Sequence, residues 1–176
     1  YEAPKGSASS PLFASGLWMG GISNQQLHMA GQTYRQSGND FWPGPLDPTT
    51  AFIDSSQMLQ YYRIWKVNKW QVDEFTQAFQ NGSVANGTYS IPKDILQWPA
   101  HGSGKKSKYL APFSDSDGDG LYNPLKGDYP KIKGDQMLYW IVNDANVVHS
   151  ETGGLPLGVE VHMSAYAYSC PTISDQ

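Results

Sequence analysis

Four aspartates, Asp115, Asp117, Asp119 and Asp128, fall within one short stretch, DSDGDGLYNPLKGD over 115–128. Carboxylates gathered this closely repel one another unless a cation neutralises them. Alternate aspartates followed by Gly120 match the start of a calcium loop, where side chains converge on one point and glycine permits the sharp turn. Leu121 would then offer its backbone carbonyl. The stretch departs from an EF-hand in two respects. Lys126 stands where a bidentate Glu belongs, and Pro112 and Pro124 oppose flanking helices. The closing ligand is therefore expected from Asn123 or from Asp128. Magnesium demands a tighter octahedron, so Ca2+ is the expected ion, with an affinity on the order of 10⁻⁴–10⁻³ M, that of extracellular modules. The competing reading is a metal-free acidic turn.

The rest of the chain suits such a loop. Charged residues make up 16% and aromatics 13%, so solubility rests on Gly, Ser, Asn, Gln and Tyr rather than on Lys and Glu. That balance favours irregular and β structure outside the cell. A net charge of −4 argues against a nucleic-acid partner, which would require a basic face. The one basic cluster, Lys105, Lys106 and Lys108, reads as a solvated loop. No run approaches the apolar length of a membrane span. The first residue is Tyr1 and the single cysteine is Cys170. The chain is thus expected to begin after processing or to be part of something longer, with Cys170 either free, buried or paired beyond Gln176.

Glycine and proline divide the chain into short elements. Phe13–Ile22 and Leu27–Ala30, separated by Ser23-Asn24-Gln25-Gln26, predict a β-hairpin. Residues 38–48 hold three prolines and two glycines, so no regular element is expected there, with Phe41 and Trp42 as anchors. Ser55–Arg63 is ambiguous and compatible with a short helix. Asn68–Gln80 is the clearest helix. Asn68 can cap it, Val72, Phe75 and Phe79 form one stripe, and Asn81-Gly82 ends it. Pro92–Gln97 predicts a short helix. Gln136–Val142 predicts a buried strand. Gly158–Tyr168 alternates, with Val159, Val161, Met163, Ala165 and Ala167 on one face and Glu160, His162, Ser164, Tyr166 and Tyr168 on the other. This last strand has no later partner, and an open edge of that length invites association.

The expected architecture is mainly β with short helices and long ordered loops. It is β-sandwich-like and completed by residues or chains beyond this segment. Residues 1–176 form one domain, with a helical insertion at about 55–98 and the calcium loop at 115–128.

Catalytic constellations are scarce. His28, His101, His149 and His162 make no H-E-x-x-H pair. Glu160 and His162 share a strand face, which leaves a site open there. Asp135, Asp144, Glu151 and Glu160 could supply a carboxylate pair for glycoside hydrolysis. Trp42, in its Pro/Gly loop, is the candidate for stacking on a sugar or other ligand. Asn81-Gly82-Ser83 and Asn86-Gly87-Thr88 are formal glycosylation sequons.

Five segments also carry a likeness: FASGLWMGG (13–21), AGQTYRQSGNDFWPGPLD (30–47), YYRIWKVNK (61–69), LAPFSDSDGDGLYNPLKGDYPKIKGDQMLYWIVND (110–144) and ETGGLPLGVEVHMSAYAY (151–168). Together they resemble the N-terminal region of large secreted surface proteins of Bacteroidota, which end in type IX secretion sorting domains. The resemblance implies export, a place on the cell surface or in the extracellular matrix, and continuation into further β-rich segments. It implies no enzyme activity. The expected role is a calcium-stabilised structural or adhesive surface protein, a fibre or matrix component, with other copies of itself or later domains as partners. An exported carbohydrate-binding module or polysaccharide hydrolase is the alternative.

Overall fold

The computed structural model describes residues 6–35, 37–104, 106–145 and 148–169. Among the described residues, eight strands form three open sheets, accompanied by three α-helices and one 3₁₀ turn. The expectations for Cys170 fall outside the described residues.

β1 (Trp18–Ser23) and β2 (Gln26–Gly31) form the predicted hairpin, paired from Trp18↔Gly31 to Ser23↔Gln26. Asn24 and Gln25 make the two-residue turn with both φ positive, at 49° and 62°. That conformation matches the twist of the paired strands, and asparagine tolerates it better than most residues.

The principal sheet is organised on β7 (Gln136–Asn143). β8 (Glu160–Ala167) runs antiparallel along one of its edges, from Gln136↔Ala167 to Asn143↔Glu160. The other edge is shared end to end by β3 (Trp42–Pro43) and β4 (Trp65–Asn68). The short β3 corrects the expectation that residues 38–48 carry no regular element. Pro43 is tolerated because it closes a two-residue strand, and the next N–H, that of Gly44, bonds the Ile141 carbonyl at 2.9 Å. β4 was hidden in sequence because it runs without a break into the helix start at Asn68.

β7 alternates strictly between half-buried and buried residues. Met137, Tyr139 and Ile141 turn inward beside Trp65 and Val67. Against this face packs α2 (Lys69–Gln80), whose start is held by Gln71 Oε1 accepting the Asn68 N–H at 3.0 Å. Its buried residues are Val72, Phe75 and Ala78. Phe79, expected in that stripe, is instead 37% exposed, because its ring turns to the rim and meets Gly127. α1 (Ser55–Tyr61) and α3 (Lys93–Leu96) complete the helical side, with Ile95 fully buried. Each such apolar side chain contributes about 1.5–3 kcal/mol on burial. Two tryptophans fasten the connecting loop: Trp65 Nε1 donates to Gln97 O at 2.7 Å and Trp98 Nε1 to Pro112 O at 3.0 Å.

The opposite face of the sheet carries Leu138, Trp140 and Val142 beside Val161, Met163 and Ala165. None of the six is buried. β8 is therefore an edge strand with a partly covered apolar face, and its outer edge has no partner among the described residues. No helix among the described residues is long and apolar enough to cross a membrane.

Candidate metal centre

The aspartate loop hangs between β5 (Phe113–Ser114) and β6 (Tyr129–Pro130), which pair with each other and bring its two ends together. Asp128, adjacent to β6, is fully buried. Its Oδ1 accepts the Ser116 N–H at 2.7 Å and its Oδ2 the Asn123 N–H at 2.8 Å. One carboxylate thus clamps both arms of the loop, with charge-assisted bonds stronger than neutral ones. Ser116 Oγ adds a bond to Gly127 O at 2.7 Å.

Gly127 makes this possible. It sits at φ 98°, and a Cβ there would come within 2.6 Å of the Phe79 ring. The loop consequently docks against α2 only if this residue has no side chain.

Asp115 turns both oxygens inward, Oδ1 to Gly118 N–H and Oδ2 to Gly120 N–H, each at 2.8 Å. Asp117 Oδ1 accepts the Asp119 N–H at 3.2 Å. These bonds curl the backbone so that carboxylate oxygens of Asp115, Asp117 and Asp128 lie within 4.8 Å of one another. Such an acid triad can hold a metal ion. Asp115 and Asp117 are open to solvent, so an ion could enter from that side while buried Asp128 forms the floor.

The other expected ligands are placed differently. Asp119 Oδ1 accepts the Leu121 N–H at 2.8 Å, and its Oδ2 meets Lys126 Nζ at 2.6 Å. Lys126 also reaches Asp117 Oδ2 at 2.9 Å. The lysine at the EF-hand's glutamate position is therefore an internal counter-cation. Its bonds to Asp119, and then to Asp117, raise its own pKa, and it holds the Asp119 carboxyl below the ordinary range. Asn123 Oδ1 accepts the Leu125 N–H at 3.0 Å and starts the 3₁₀ turn Pro124–Lys126. Of the two candidates for closing the loop, Asp128 stands in the triad. Leu121 is exposed at the loop's outer turn.

A polar seam behind the loop fixes its position. His101 Nδ1 donates to Lys108 O at 2.6 Å and its Nε2 accepts the Tyr122 N–H at 2.8 Å. Tyr122 donates its hydroxyl to Ile95 O at 2.6 Å. Burial, then the Asp128 charge, pushes the Tyr122 hydroxyl far above its usual range, so it remains a donor.

Elsewhere the acids are spent on the chain itself. Asp144 is fully buried and accepts the Leu157 and Val159 N–H groups at 2.6 and 2.7 Å. Asp40 takes those of Gly31 and Glu151 at 3.0 and 2.9 Å and the Thr152 hydroxyl at 2.6 Å. Burial works to raise the Asp40 carboxyl, but those bonds and His149 hold it below the ordinary value. His149 lies between the two, with Nδ1 2.6 Å from Met29 O and Nε2 2.7 Å from Asp144 O. Trp42 is half-buried, its ring 5.8 Å from that imidazole. Asp135 accepts the Ser169 N–H, Glu151 the Ser37 and Gly38 N–H groups, and Glu160 the Leu46 N–H. Glu160 also contacts His162 Nε2, whose Nδ1 lies 2.9 Å from the Tyr139 hydroxyl.

Fold and site together define a small β-rich domain with open sheets and a surface acid triad able to take a metal. No family model, curated protein or solved structure matches the chain.

Proposed function

We propose that this domain is a calcium-stabilised structural or adhesive module of an extracellular surface protein. The observation that carries the reading is the convergence of Asp115, Asp117 and Asp128 on one point, with a buried carboxylate at the base. Oxygen-only donors favour calcium over softer ions. With so few carboxylates the site is weak, and it fills where calcium is millimolar. That condition, the low content of charged residues and the resemblance to secreted Bacteroidota surface proteins all favour a location outside the cell.

The ion's role is mechanical. It joins the two arms of a loop that packs on α2 through Gly127. Load on the β5–β6 pair would then be shared with the helical core. The partly covered face of the principal sheet and the open edge of β8 suit continuation into a further β layer, supplied by later domains or by another copy.

Binding to the folded state adds RT ln(1 + [L]/Kd), about 1–2 kcal/mol at calcium some tenfold above Kd. For a chain of this size that is a rise in Tm of about 2–8 °C. Differential scanning calorimetry with calcium, with magnesium and with a chelator measures it, with Asp117→Asn as the control that abolishes the response. A Tm indifferent to calcium up to 10 mM (about ten times the weakest expected Kd) would overturn the reading.

A further inference from the structure

Lys106 contradicts the expectation of a solvated basic loop, since it is only 9% exposed. Burial of an ammonium requires acceptors for its three donors. Among the described residues its Nζ has one hydrogen-bond partner, Gln57 Oε1 at 2.7 Å. Both side chains line a cavity of about 280 Å³, together with Asp47, Thr50, Phe52 and Asp54.

The walls are already built. Asp47 N–H bonds Phe52 O at 2.9 Å and Ala51 N–H bonds Asp47 O at 2.8 Å, closing a small loop in which Ala51 sits at φ 50°. Asp54 Oδ1 accepts the Ser56 N–H at 2.7 Å. The Ser56 donors, chiefly its hydroxyl, hold the Asp54 carboxyl below the ordinary range, with a smaller contribution from Lys106. A carboxylate accepts about four hydrogen bonds, so Asp54 retains capacity toward the cavity. Phe52 is 53% exposed and offers a flat apolar surface at the rim.

The geometry points to a binding site for a neutral, polyhydroxylated ring, a saccharide unit. An anion would satisfy Lys106 but would face both Asp47 and Asp54. A metal ion would suit the carboxylates but would face the ammonium. Hydroxyl groups can accept from Lys106 while donating to Asp54 and Gln57, and a sugar ring carries several of them in fixed directions. The C–H face of such a ring can rest on Phe52 as apolar groups rest on aromatic surfaces. At about 280 Å³ the cavity lies just below the usual range of ligand pockets, about 300–1,000 Å³, which suits a single sugar ring. This site is separate from the aspartate loop and does not depend on calcium.

Saturation-transfer difference NMR on the full chain tests it. The probes are glucose, galactose, mannose, N-acetylglucosamine and their disaccharides, with sodium citrate as the anionic comparison. We expect saturable millimolar binding of at least one sugar and none of citrate. Phe52→Ala should weaken binding at least fivefold, and Lys106→Met should abolish it. The melting temperature of Phe52→Ala should stay unchanged, because that side chain is exposed. If Lys106→Met fails to fold, Phe52→Ala alone decides. Absence of saturable sugar binding, preferential binding of citrate, or sugar binding undiminished by Phe52→Ala would overturn the assignment.

Discussion

The aspartate loop and the Asp40–His149–Asp144 seam both concentrate charge, and they handle it in opposite ways. In the seam each carboxylate is fully desolvated and each of its oxygens accepts from N–H or hydroxyl donors of the chain, with an imidazole between them. Nothing is left for an external ligand. In the loop only Asp128 is buried, while Asp117 and Asp119 share a half-exposed lysine. The seam is completed by folding itself. The loop is only partly completed, and the Lys126 ammonium bridges Asp117 and Asp119 beside the triad that could bind a divalent ion. The difference lies in donor supply. Residues 150–159 thread between the two buried acids and provide five of their N–H or hydroxyl donors, whereas the loop must serve its own.

The contrast fails at once if the seam proves dispensable. Asp144→Ala would leave two buried N–H groups unpaired, and we expect a loss of about 3–5 kcal/mol by urea denaturation. A loss below about 1 kcal/mol would mean that water replaces the carboxylate and the seam is no tighter than the loop.

Asp128 belongs to the loop but resembles the seam. Asp128→Asn should cost about 1–3 kcal/mol without metal and should also remove the calcium response. Asp117→Asn should remove the response with little cost to the metal-free protein. Equal destabilisation by the two would erase the distinction between floor and rim.

Acid should attack the seam, and the sign follows from the depressed carboxyl of Asp40. A folded-state pKa below the unfolded value contributes stability at higher pH that is lost as protons bind. Glu151 is depressed in the same sense, chiefly by the Thr33 hydroxyl and the Gly38 N–H. Tm in metal-free buffer should therefore be flat around neutrality and fall as pH drops below about 4. A fall that begins near pH 6 would point to a different titrating group.

The smallest effect concerns Lys126. Lys126→Met removes the internal counter-cation, and calcium should bind a few-fold more tightly by isothermal titration calorimetry. Weaker binding would mean that the lysine organises the triad rather than competes for it.

Much of the local structure was legible in sequence because it is set by neighbours along the chain. Asn24-Gln25 between alternating runs marked the hairpin, Asn68 and Asn81-Gly82 bounded α2, and the period-two pattern marked β8. The aspartate spacing marked the loop for the same reason, since Gly118 and Gly120 let adjacent carboxylates turn inward. What sequence left unmarked depends on partners far away. β4 is a strand because β7 lies beside it, and Phe79 leaves the core because Gly127 leaves room at the rim.

The sequence alone determined where charge is dense and where the backbone must turn. Carboxylate spacing and glycine placement are local properties that no distant contact alters. Tertiary structure decided which of those charges remain available. Asp128 rather than Asn123 joined the triad, Lys126 bridged Asp117 and Asp119 as a cation, and Lys106 was drawn from solvent into a cavity wall. Each outcome depends on desolvation and on the donors that remote segments bring, and both exist only once the chain has packed.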